Sequence, residues 1–331
     1  MKQPTYRTAG TTLVCAMIGS AGWAAADALA QASFPARPIR VVVPFGAGGL
    51  TDVVARIIVE PMSVTLGRPL VIENQGGAGS TIGAATVARA APDGYTIMVG
   101  SVGHTVMDAL YPNFQFSPSR SFAPVALLTQ QPFVVAVSPN NPARDVPSFI
   151  AWLRQRGGES NLGTAGIGAT SHLSAELIRK LAGVSFTVVP YRGTPQAVTD
   201  LTAGRVDFMV DSQTLLGPLI ADNRVRGIAV TTATRSSMLP NLPTLAEGGV
   251  AGYDAAAWQA IYAPAGTPAP ILQTLSDAAS RAMRDPAVIR RLAEAGVDIM
   301  PDNSPEAAAR HLDIEVRTWG DLVRTLGLRG T

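Results

Sequence analysis

Short apolar runs alternate with amphipathic stretches along most of the chain. The runs at residues 39–44, 69–74 and 95–100 are rich in Val and Ile, a composition typical of buried strands. Helical spacing of apolar residues follows the first run over residues 52–66 and the second run up to residue 90. This order predicts an α/β fold with largely parallel strands.

The alternation resumes beyond a strand predicted at residues 133–137, after prolines that suggest a crossover into a second domain. Further strands are expected at residues 161–164, 186–189, 206–210 and 228–230, and helices at 147–156, 172–181 and 196–203. The apolar run 257–263 is expected to return the chain to the first domain. The remainder is predicted to be helical, with breaks at Pro286, Pro301 and Pro305.

The first 32 residues have the pattern of a secretory signal peptide. Lys2 and Arg7 precede an apolar stretch at residues 11–26, and small residues allow cleavage after Ala30 or Ala32. A permanent N-terminal anchor is the alternative, but the stretch is shorter than the roughly 20 apolar residues that span a bilayer. We therefore expect export to the periplasm without a direct membrane anchor.

Composition narrows the class of protein. The chain has 331 residues, is 47% hydrophobic and 15% charged, and carries a net charge of +2. Without a basic stripe, nucleic-acid binding is not expected. Cys15, the one cysteine, lies in the predicted signal peptide. Its removal excludes disulfides, thiolate catalysis and cysteine-bound metals from the mature chain.

The segment 44–52 is the first candidate site. It joins a predicted strand to a predicted helix, and Gly46, Gly48 and Gly49 would let a ligand approach the backbone. The unpaired N–H groups of a helix start attract carboxylates and phosphates. Thr51 or Asp52 is expected to be the N-cap of this helix. A dinucleotide site is the rival interpretation, but Thr51 stands where the fingerprint needs its third glycine.

Two later segments, at residues 163–173 and 191–195, have the same character. Each combines small or hydroxyl residues just before a predicted helix. Such segments in both halves of the chain suggest donors that converge on an anion in a cleft.

The remaining polar candidates give no catalytic pattern. His104, His172 and His311 lack metal-ligand spacing, and no GxSxG motif supports a hydrolase. We expect His172 to cap or pack and His311 to be a solvated surface residue. Asp211 ends an apolar strand, where it either caps a neighbouring loop or contacts a ligand. Trp258 is either a core residue or a wall of the cleft.

Many ordered motifs between residues 34 and 327 resemble the Bug/TctC family, the periplasmic receptors of tripartite tricarboxylate transporters. The motifs are RPIR at 37–40, VPF at 43–45, GGxTD at 48–52, VIEN at 71–74, AAPDGY at 90–95, ALYP at 109–112, GxAGxG at 163–168, SHL at 171–173, VPYRG at 189–193 and APAGTP at 263–268. The resemblance implies a type II periplasmic-binding-protein (Venus flytrap) fold, with two α/β lobes joined by two crossing strands. It places lobe 1 at residues 33–134 and 258–331, and lobe 2 at 135–257.

The resemblance also implies a function and a set of ligand contacts. The protein is expected to be a monomeric, non-catalytic receptor without cofactor or metal, which binds a small carboxylate and delivers it to a membrane permease of the tripartite tricarboxylate type. The alternative is an orphan receptor that reports to a membrane sensor kinase. The contacts carried over by position are Phe45, Gly48, Gly49, Thr51, Asp52, Ser101, His104, Thr164, Gly168, Ala169, Thr170, Ser171 and Asp211. Ala169 departs from the threonine that is frequent in the family, and Thr170 is a substitute donor.

Overall fold

The computed structural model describes residues 34–111 and 113–330. The predicted signal peptide, its cleavage sites and Cys15 lie outside the described residues. Within those residues, no helix is both long enough and apolar enough to cross a membrane.

Ten strands and ten α-helices follow one another along the described chain. The strands are β1 Ile39–Val43, β2 Leu70–Asn74, β3 Thr96–Gly100, β4 Phe122–Val137, β5 Asn161–Thr164, β6 Thr187–Pro190, β7 Phe208–Ser212, β8 Arg226–Val230, β9 Ala256–Pro264 and β10 Asp298–Ile299. The helices are α1 Leu50–Leu66, α2 Thr81–Ala88, α3 Met107–Leu110, α4 Val146–Arg156, α5 Thr170–Ala182, α6 Thr194–Thr202, α7 Gln213–Ala221, α8 Ala269–Arg284, α9 Pro286–Glu294 and α10 Pro305–Thr325. Two 3₁₀ turns, Ala78–Ser80 and Val102–Val106, precede α2 and α3.

The strands form two lobes that share β4 and β9. The order along the sheet is β2-β1-β3-β9-β4-β7-β5-β6, with β8 and β10 also paired to β4. In the first lobe β1 pairs in parallel with β2 and β3. In the second lobe β5 pairs in parallel with β6 and β7. Parallel strands predicted from the apolar runs are therefore present in both lobes.

Strands β4 and β9 run antiparallel and connect the lobes. The first part of β4 pairs with β9 up to Pro132. From Phe133 onwards β4 pairs instead with β7 and β8. The change of partners shows where the sheet passes from one lobe to the other, close to the lobe limits expected at 134/135 and 257/258. Those limits stay a prediction.

Helices pack their apolar faces against the strands of both lobes. Helix α8, for example, buries Ile271, Leu275, Ala278 and Ala282, which recur at helical spacing on one face. Strands β1 and β3 are buried along almost their whole length. In each lobe a helix begins just beyond the carboxyl end of a parallel strand, so α1, α5 and α6 begin at the edge that faces the other lobe.

Three elements differ from the sequence prediction. Strand β4 is 16 residues long, because it begins at Phe122 rather than at residue 133. Helix α7 was not predicted, since Gly217 and Pro218 interrupt its helical pattern. The short strand β10 likewise interrupts the C-terminal region, which was predicted to be helical throughout.

Candidate functional site

A narrow cavity of about 40 Å³ lies between the two lobes, where three helices begin. It is lined by Phe45, Gly46, Gly49, Leu50, Thr51, Ser101, Phe133, Ala165, Ala169, Thr170, Ser171, Gly193, Thr194, Asp211 and Gln259. We call this the interlobe cavity. Its lining includes the first residues of α1 from one lobe and of α5 and α6 from the other.

The start of α1 is braced from behind by a carboxylate. Asp52 is buried and accepts hydrogen bonds from the Gly48 backbone N–H at 2.8 Å, the Arg56 guanidinium at 2.9 Å and the Asn74 amide at 2.9 Å. Burial alone would raise the pKa of Asp52, but the bonds from Arg56, Gly48 and Asn74 lower it below its usual value. Asp52 thus holds the loop and does not line the cavity.

The predicted N-cap of α1 is wrong. Gly49 occupies the N-cap position, and no side chain caps this helix. Gly49 has the extended conformation that an N-cap requires. Asp52 lies inside the first turn instead and bonds back to Gly48, outside the helix. Among the described residues, no side-chain cap therefore competes for the first N–H groups of α1.

Hydroxyl groups order the loop before α5. The Thr164 and Ser171 hydroxyls lie 2.7 Å apart, and Ser171 Oγ also accepts from the Ala165 N–H. Gly168 donates its N–H to His172 Nδ1 at 3.1 Å, and His172 Nε2 lies 3.4 Å from Glu176. His172 therefore packs and positions the loop, as expected. Ala169 is the N-cap, without a side-chain hydrogen bond.

Asp211 caps a neighbouring loop and lines the cavity, while its contact with a ligand stays a prediction. It lines the cavity, and it also accepts from Thr194 Oγ1 at 3.1 Å, at the start of α6, and from the Ser212 N–H at 2.7 Å. Burial raises the pKa of Asp211 to about 6, against the opposing effect of those hydrogen bonds. Asp211 is the one titratable side chain among the described residues that line this cavity.

Gln259 on β9 adds a free donor. Its side chain is fully buried, and Oε1 accepts from Thr129 Oγ1 at 2.5 Å. Within the described part of the chain, Gln259 Nε2 has no hydrogen-bond partner. A buried amide N–H without a partner costs free energy unless a ligand or water accepts from it.

His104 lies behind the cavity rather than in its lining. Nδ1 lies 2.9 Å from the Ser101 carbonyl oxygen, and the ring packs edge-on against Tyr262 with centroids 4.4 Å apart. Complete burial lowers the pKa of His104 to about 4, despite the bond to Ser101. The imidazole is therefore neutral near pH 7 and supports Ser101, which lines the cavity.

The lobes touch through backbone at the rim of the cavity. A methyl group on Gly46 would lie 3.3 Å from the Arg192 carbonyl oxygen of the other lobe. A methyl group on Gly79 would lie only 1.9 Å from the carbonyl oxygen of Ile167. Glycine at these positions lets the main chains of the two lobes approach, so the described conformation is a closed one.

The expected contact residues divide into two groups. Those that line the interlobe cavity are Phe45, Gly49, Thr51, Ser101, Ala169, Thr170, Ser171 and Asp211. Those that lie behind this lining are Gly48, Asp52, His104, Thr164 and Gly168. Phe133 and Gln259 line the cavity without having been predicted as contacts; an amide within the apolar run 257–263 was the available signal for Gln259. Thr194 belongs to a helix start that the sequence did indicate.

His311 and Trp258 pack against each other below the surface. His311 is not a solvated surface residue: its ring packs edge-on against Trp258 at 4.8 Å, and burial lowers its pKa. Trp258 is buried, and its indole donates to Glu315 at 2.6 Å.

No cluster of three or more His, Cys, Asp or Glu side chains suited to a metal occurs in residues 34–111 and 113–330.

The arrangement is suited to hold an anion without a cationic side chain. No Lys or Arg is present among the described residues that line the cavity. The donors are instead the first N–H groups of α1, α5 and α6, the hydroxyls of Thr51, Ser101 and Thr170, and Gln259 Nε2. The start of a helix carries partial positive charge, and the first residues of three helices line this cavity, so negative charge is favoured there.

Known proteins with related sequences point to one family. Residues 54–328 match the family model of the tripartite tricarboxylate transporter family receptor. The chain is 40% identical over 282 residues to the UPF0065 protein of the TAR-I ttuE-ttuC' intergenic region of Agrobacterium vitis, covering 85% of this chain and 82% of that protein. It is 31% identical over 299 residues to protein BugT of Bordetella pertussis, covering 90% and 91% of the two chains.

Solved structures agree with that assignment. The periplasmic binding protein BugD superposes with a TM-score of 0.85 at 36% identity, over 89% of this chain and 99% of that chain. MatC from Rhodopseudomonas palustris with bound malate gives 0.84 at 38% identity, over 88% and 100%. A second R. palustris protein, with adipate, gives 0.83 at 35% identity, over 89% and 99%. The predicted periplasmic-binding-protein fold is confirmed. The chain belongs to the tripartite tricarboxylate transporter receptor family, whose members are periplasmic solute-binding receptors and not enzymes.

Proposed function

We propose that this protein binds a small carboxylate in the interlobe cavity and carries it to a membrane permease of the tripartite tricarboxylate type. The observation that carries the proposal is the convergence of α1, α5 and α6, none of which has a side-chain cap. Asp145, Asp285 and Ser304 cap α4, α9 and α10. Helices α2, α3, α7 and α8 also lack a side-chain cap, but only α1, α5 and α6 contribute their first residues to the described lining of the cavity. The free N–H groups therefore lie where a carboxylate would accept from them.

A carboxylate suits these donors better than a neutral solute does. Carboxylate oxygens accept several hydrogen bonds at once, and bonds to a charged acceptor are about twice as strong as neutral ones. The malate and adipate in the related R. palustris structures are both dicarboxylates. One carboxylate group would lie at the starts of α1 and α5, and the rest of the ligand would extend toward Asp211 and Gln259.

The contact residues of this proposal include the thirteen predicted positions and the two that the sequence missed. The eight predicted residues in the lining would contact the ligand directly, while Gly48, Asp52, His104, Thr164 and Gly168 would hold them in place. Phe133 would pack against the carbon chain, and Gln259 Nε2 would donate to a polar atom of the ligand.

The cellular route is part of the same proposal. Residues 1–32 would direct export and be cleaved after Ala30 or Ala32, which leaves a periplasmic chain with lobe limits at 134/135 and 257/258. Ligand contacts with both lobes would stabilise the closed conformation, and the closed form would be the one that the permease recognises.

A thermal-shift series tests the binding step. The exported form of the protein is heated with malate, with adipate and with the neutral diamide of each acid. A ligand at 100 times its dissociation constant stabilises a protein by about 2.7 kcal/mol. A rise in melting temperature with an acid and none with its diamide supports the proposal, while equal shifts or shifts only with neutral solutes contradict it.

Uptake of the labelled acid tests the delivery step. Deletion of this protein alone should abolish high-affinity uptake by cells that keep the permease, and its return should restore uptake. Unchanged uptake combined with loss of a ligand-dependent transcriptional response would instead identify a receptor that reports to a sensor kinase.

A further inference from the structure

A second and much larger cavity lies on the opposite side of the strands that join the lobes. It measures about 600 Å³, and we call it the hinge cavity. Its walls come from β4 and β9, from the segment 232–238 after β8, from the turn between α9 and β10, and from α10. Residues of both lobes therefore surround it, as they surround the interlobe cavity.

Neighbouring residues of one strand separate the two cavities. Trp258 lines the hinge cavity, and Gln259 lines the interlobe cavity. Successive side chains of a strand point to opposite faces. The two cavities thus occupy opposite faces of β9.

A half-buried glutamate is held at the wall of the hinge cavity. Glu315 Oε2 accepts from the Trp258 indole at 2.6 Å and from the Trp319 indole at 2.7 Å. Burial raises the pKa of Glu315, and the two indole bonds oppose that effect. Within residues 34–111 and 113–330 no hydrogen bond reaches Oε1, which remains free to accept from a bound molecule.

Two buried nitrogen atoms at the same wall also lack partners. Gln131 is 1% exposed; its Oε1 accepts from Thr214, but among the described residues nothing accepts from its Nε2. His311 Nε2, one helical turn before Glu315, is likewise buried without a partner in that part of the chain. Unpaired buried polar atoms of this kind indicate a polar occupant.

The charge of the lining selects the kind of occupant. Asp254, Asp298 and Glu315 are acidic, whereas the guanidinium of Arg235 is paired with Glu247 at 2.9 Å. An acidic wall favours a cation, and the free Gln131 N–H needs an acceptor atom on the same molecule.

We propose that the hinge cavity binds a small primary ammonium compound that also carries an oxygen acceptor. The ammonium group donates to Glu315 Oε1 and to the neutral ring of His311, and the oxygen accepts from Gln131 Nε2. The volume falls within the 300–1,000 Å³ range of small-molecule sites.

Occupancy of the hinge cavity couples to closure of the lobes. A rotation that brings the lobes together at the interlobe cavity widens the space behind the connecting strands. A compound that fills this space in the closed form therefore stabilises closure, and by linkage the ammonium compound and the carboxylate raise each other's affinity by the same factor. The coupling rests on the proposed carboxylate site, whereas binding of the ammonium compound does not.

Isothermal titration calorimetry with ethanolamine tests the site on the exported protein. Ethanolamine should bind. Two analogues should bind at least about tenfold more weakly: ethylammonium, which lacks the hydroxyl, and ethylene glycol, which lacks the charge. Glu315→Gln removes the charge and should reduce ethanolamine affinity at least about tenfold. Thr318→Lys, an exposed change one turn after Glu315, should place a competing ammonium group in the cavity and have the same effect.

Asp313→Asn is the matched control, because Asp313 is exposed on α10 and does not line the hinge cavity. Absence of ethanolamine binding, or binding that Glu315→Gln and Thr318→Lys leave unchanged, overturns the site. Saturating malate should raise ethanolamine affinity, and ethanolamine should raise malate affinity equally. Glu315-dependent binding without this reciprocity overturns the coupling, and a lack of malate binding counts only against the carboxylate proposal.

Discussion

At the scale of single residues, the described lining of the interlobe cavity has more hydrogen-bond donors than acceptors and contains one carboxyl group, that of Asp211. Gln259 Nε2 and the helix N–H groups are free to donate, while Asp211 accepts from Thr194 and Ser212. The proposed carboxylate ligand would satisfy the free donors. It would also lie near Asp211, whose raised pKa of about 6 keeps much of its population protonated in mildly acidic conditions.

Replacement of Gln259 by Met should weaken carboxylate binding. The two side chains have similar shapes, but Met has no N–H, so a hydrogen bond to the charged ligand is lost. We expect an affinity for malate about tenfold lower by titration calorimetry. Gln131→Met is the matched control, because Gln131 is equally buried on the neighbouring strand but faces the hinge cavity. A loss of malate affinity that is equal in both variants would contradict this role of Gln259.

Asp211 should make the free protein less stable as the pH rises. Burial raises the pKa of Asp211 from 3.8 to about 6 in the folded state, so the folded protein binds this proton more tightly than the unfolded chain. The bound proton therefore stabilises the fold fully below pH 3.8, and this stabilisation is lost as the pH rises through about 6. Asp211→Asn removes the titration. Between pH 5 and pH 8 the variant should therefore gain about 1.4 kcal/mol of unfolding free energy relative to the native protein.

Urea unfolding at the two pH values measures this difference. Asp313→Asn is the control, because Asp313 is exposed and its replacement removes no buried carboxyl group. This variant should show no such gain in unfolding free energy. A difference between Asp211→Asn and the native protein that stays constant with pH would show that Asp211 has an ordinary pKa.

At the scale of elements, the helix starts carry the site and the connecting strands supply its floor. Helix α1 begins at a glycine N-cap in extended conformation, which leaves its first N–H groups bare toward the cavity. Asp52 secures the loop from the opposite side. The dipole and the donors of α1 are thus presented without a side chain in front of them.

Gly49→Val should block these donors without unfolding the helix. The φ of −77° and ψ of 167° at Gly49 are accessible to valine, so the backbone keeps its conformation. The isopropyl group enters a cavity of only about 40 Å³ and displaces the ligand. We expect titration calorimetry to show no malate binding, while the melting temperature of the free protein changes little. Unchanged malate affinity would remove the α1 start from the site.

The elements also show how far sequence reasoning reaches. Most strands and helices of both lobes, though not α7 or β10, could be predicted from apolar periodicity. Glycine or hydroxyl residues mark the three helix starts at the cavity locally. Strand β4 before Phe133 could not, since Pro124, Thr129 and Gln131 interrupt its apolar pattern. These polar residues are explained only by pairing with β9, far away in sequence, and by the cavities on either side.

Contacts outside the local sequence also explain why the predicted N-cap of α1 and the predicted exposure of His311 were wrong. Whether Gly49 or Thr51 begins α1 depends on backbone geometry within the loop. Asp52 bonds to Arg56 on its own helix, but its other side-chain partner, Asn74, lies on β2. His311 has polar neighbours in sequence, but in space it meets Trp258 from another part of the chain. Sequence neighbours do not report such long-range contacts.

At the scale of the whole molecule, the proposed function depends on closure of two lobes around the ligand. The closed form brings the Gly79 Cα close to the Ile167 carbonyl, and Gly46 close to Arg192. Each contact joins residues of different lobes. A side chain at the glycine would therefore clash only when the lobes are closed. Closure is therefore sensitive to a single methyl group at the rim.

Gly79→Ala should hold the lobes apart. Its Cβ would lie 1.9 Å from the Ile167 carbonyl oxygen in the closed form, a distance that backbone atoms cannot tolerate. We expect malate affinity to fall at least about 100-fold, because ligand contacts with both lobes can no longer form together. Small-angle X-ray scattering should show no ligand-dependent decrease in the radius of gyration.

Gly67→Ala is the matched control for this variant. Gly67 has a similar positive φ, 64° against 61° for Gly79, but a methyl group there meets nothing within 4 Å. Both changes carry the same intrinsic backbone strain, so only Gly79→Ala should lose malate binding. If both variants bind malate normally, the rim contact does not limit closure.

The crystal structure of the complex is the most direct measurement of how this receptor holds its ligand. The protein is crystallised with whichever of malate and adipate gives the larger thermal shift. We predict a carboxylate group within hydrogen-bond distance of the backbone N–H groups at the starts of both α1 and α5, with the lobes closed around it. A ligand bound by Lys or Arg side chains elsewhere, or one that contacts a single lobe, would contradict the proposal that bare helix starts from two lobes form the carboxylate site.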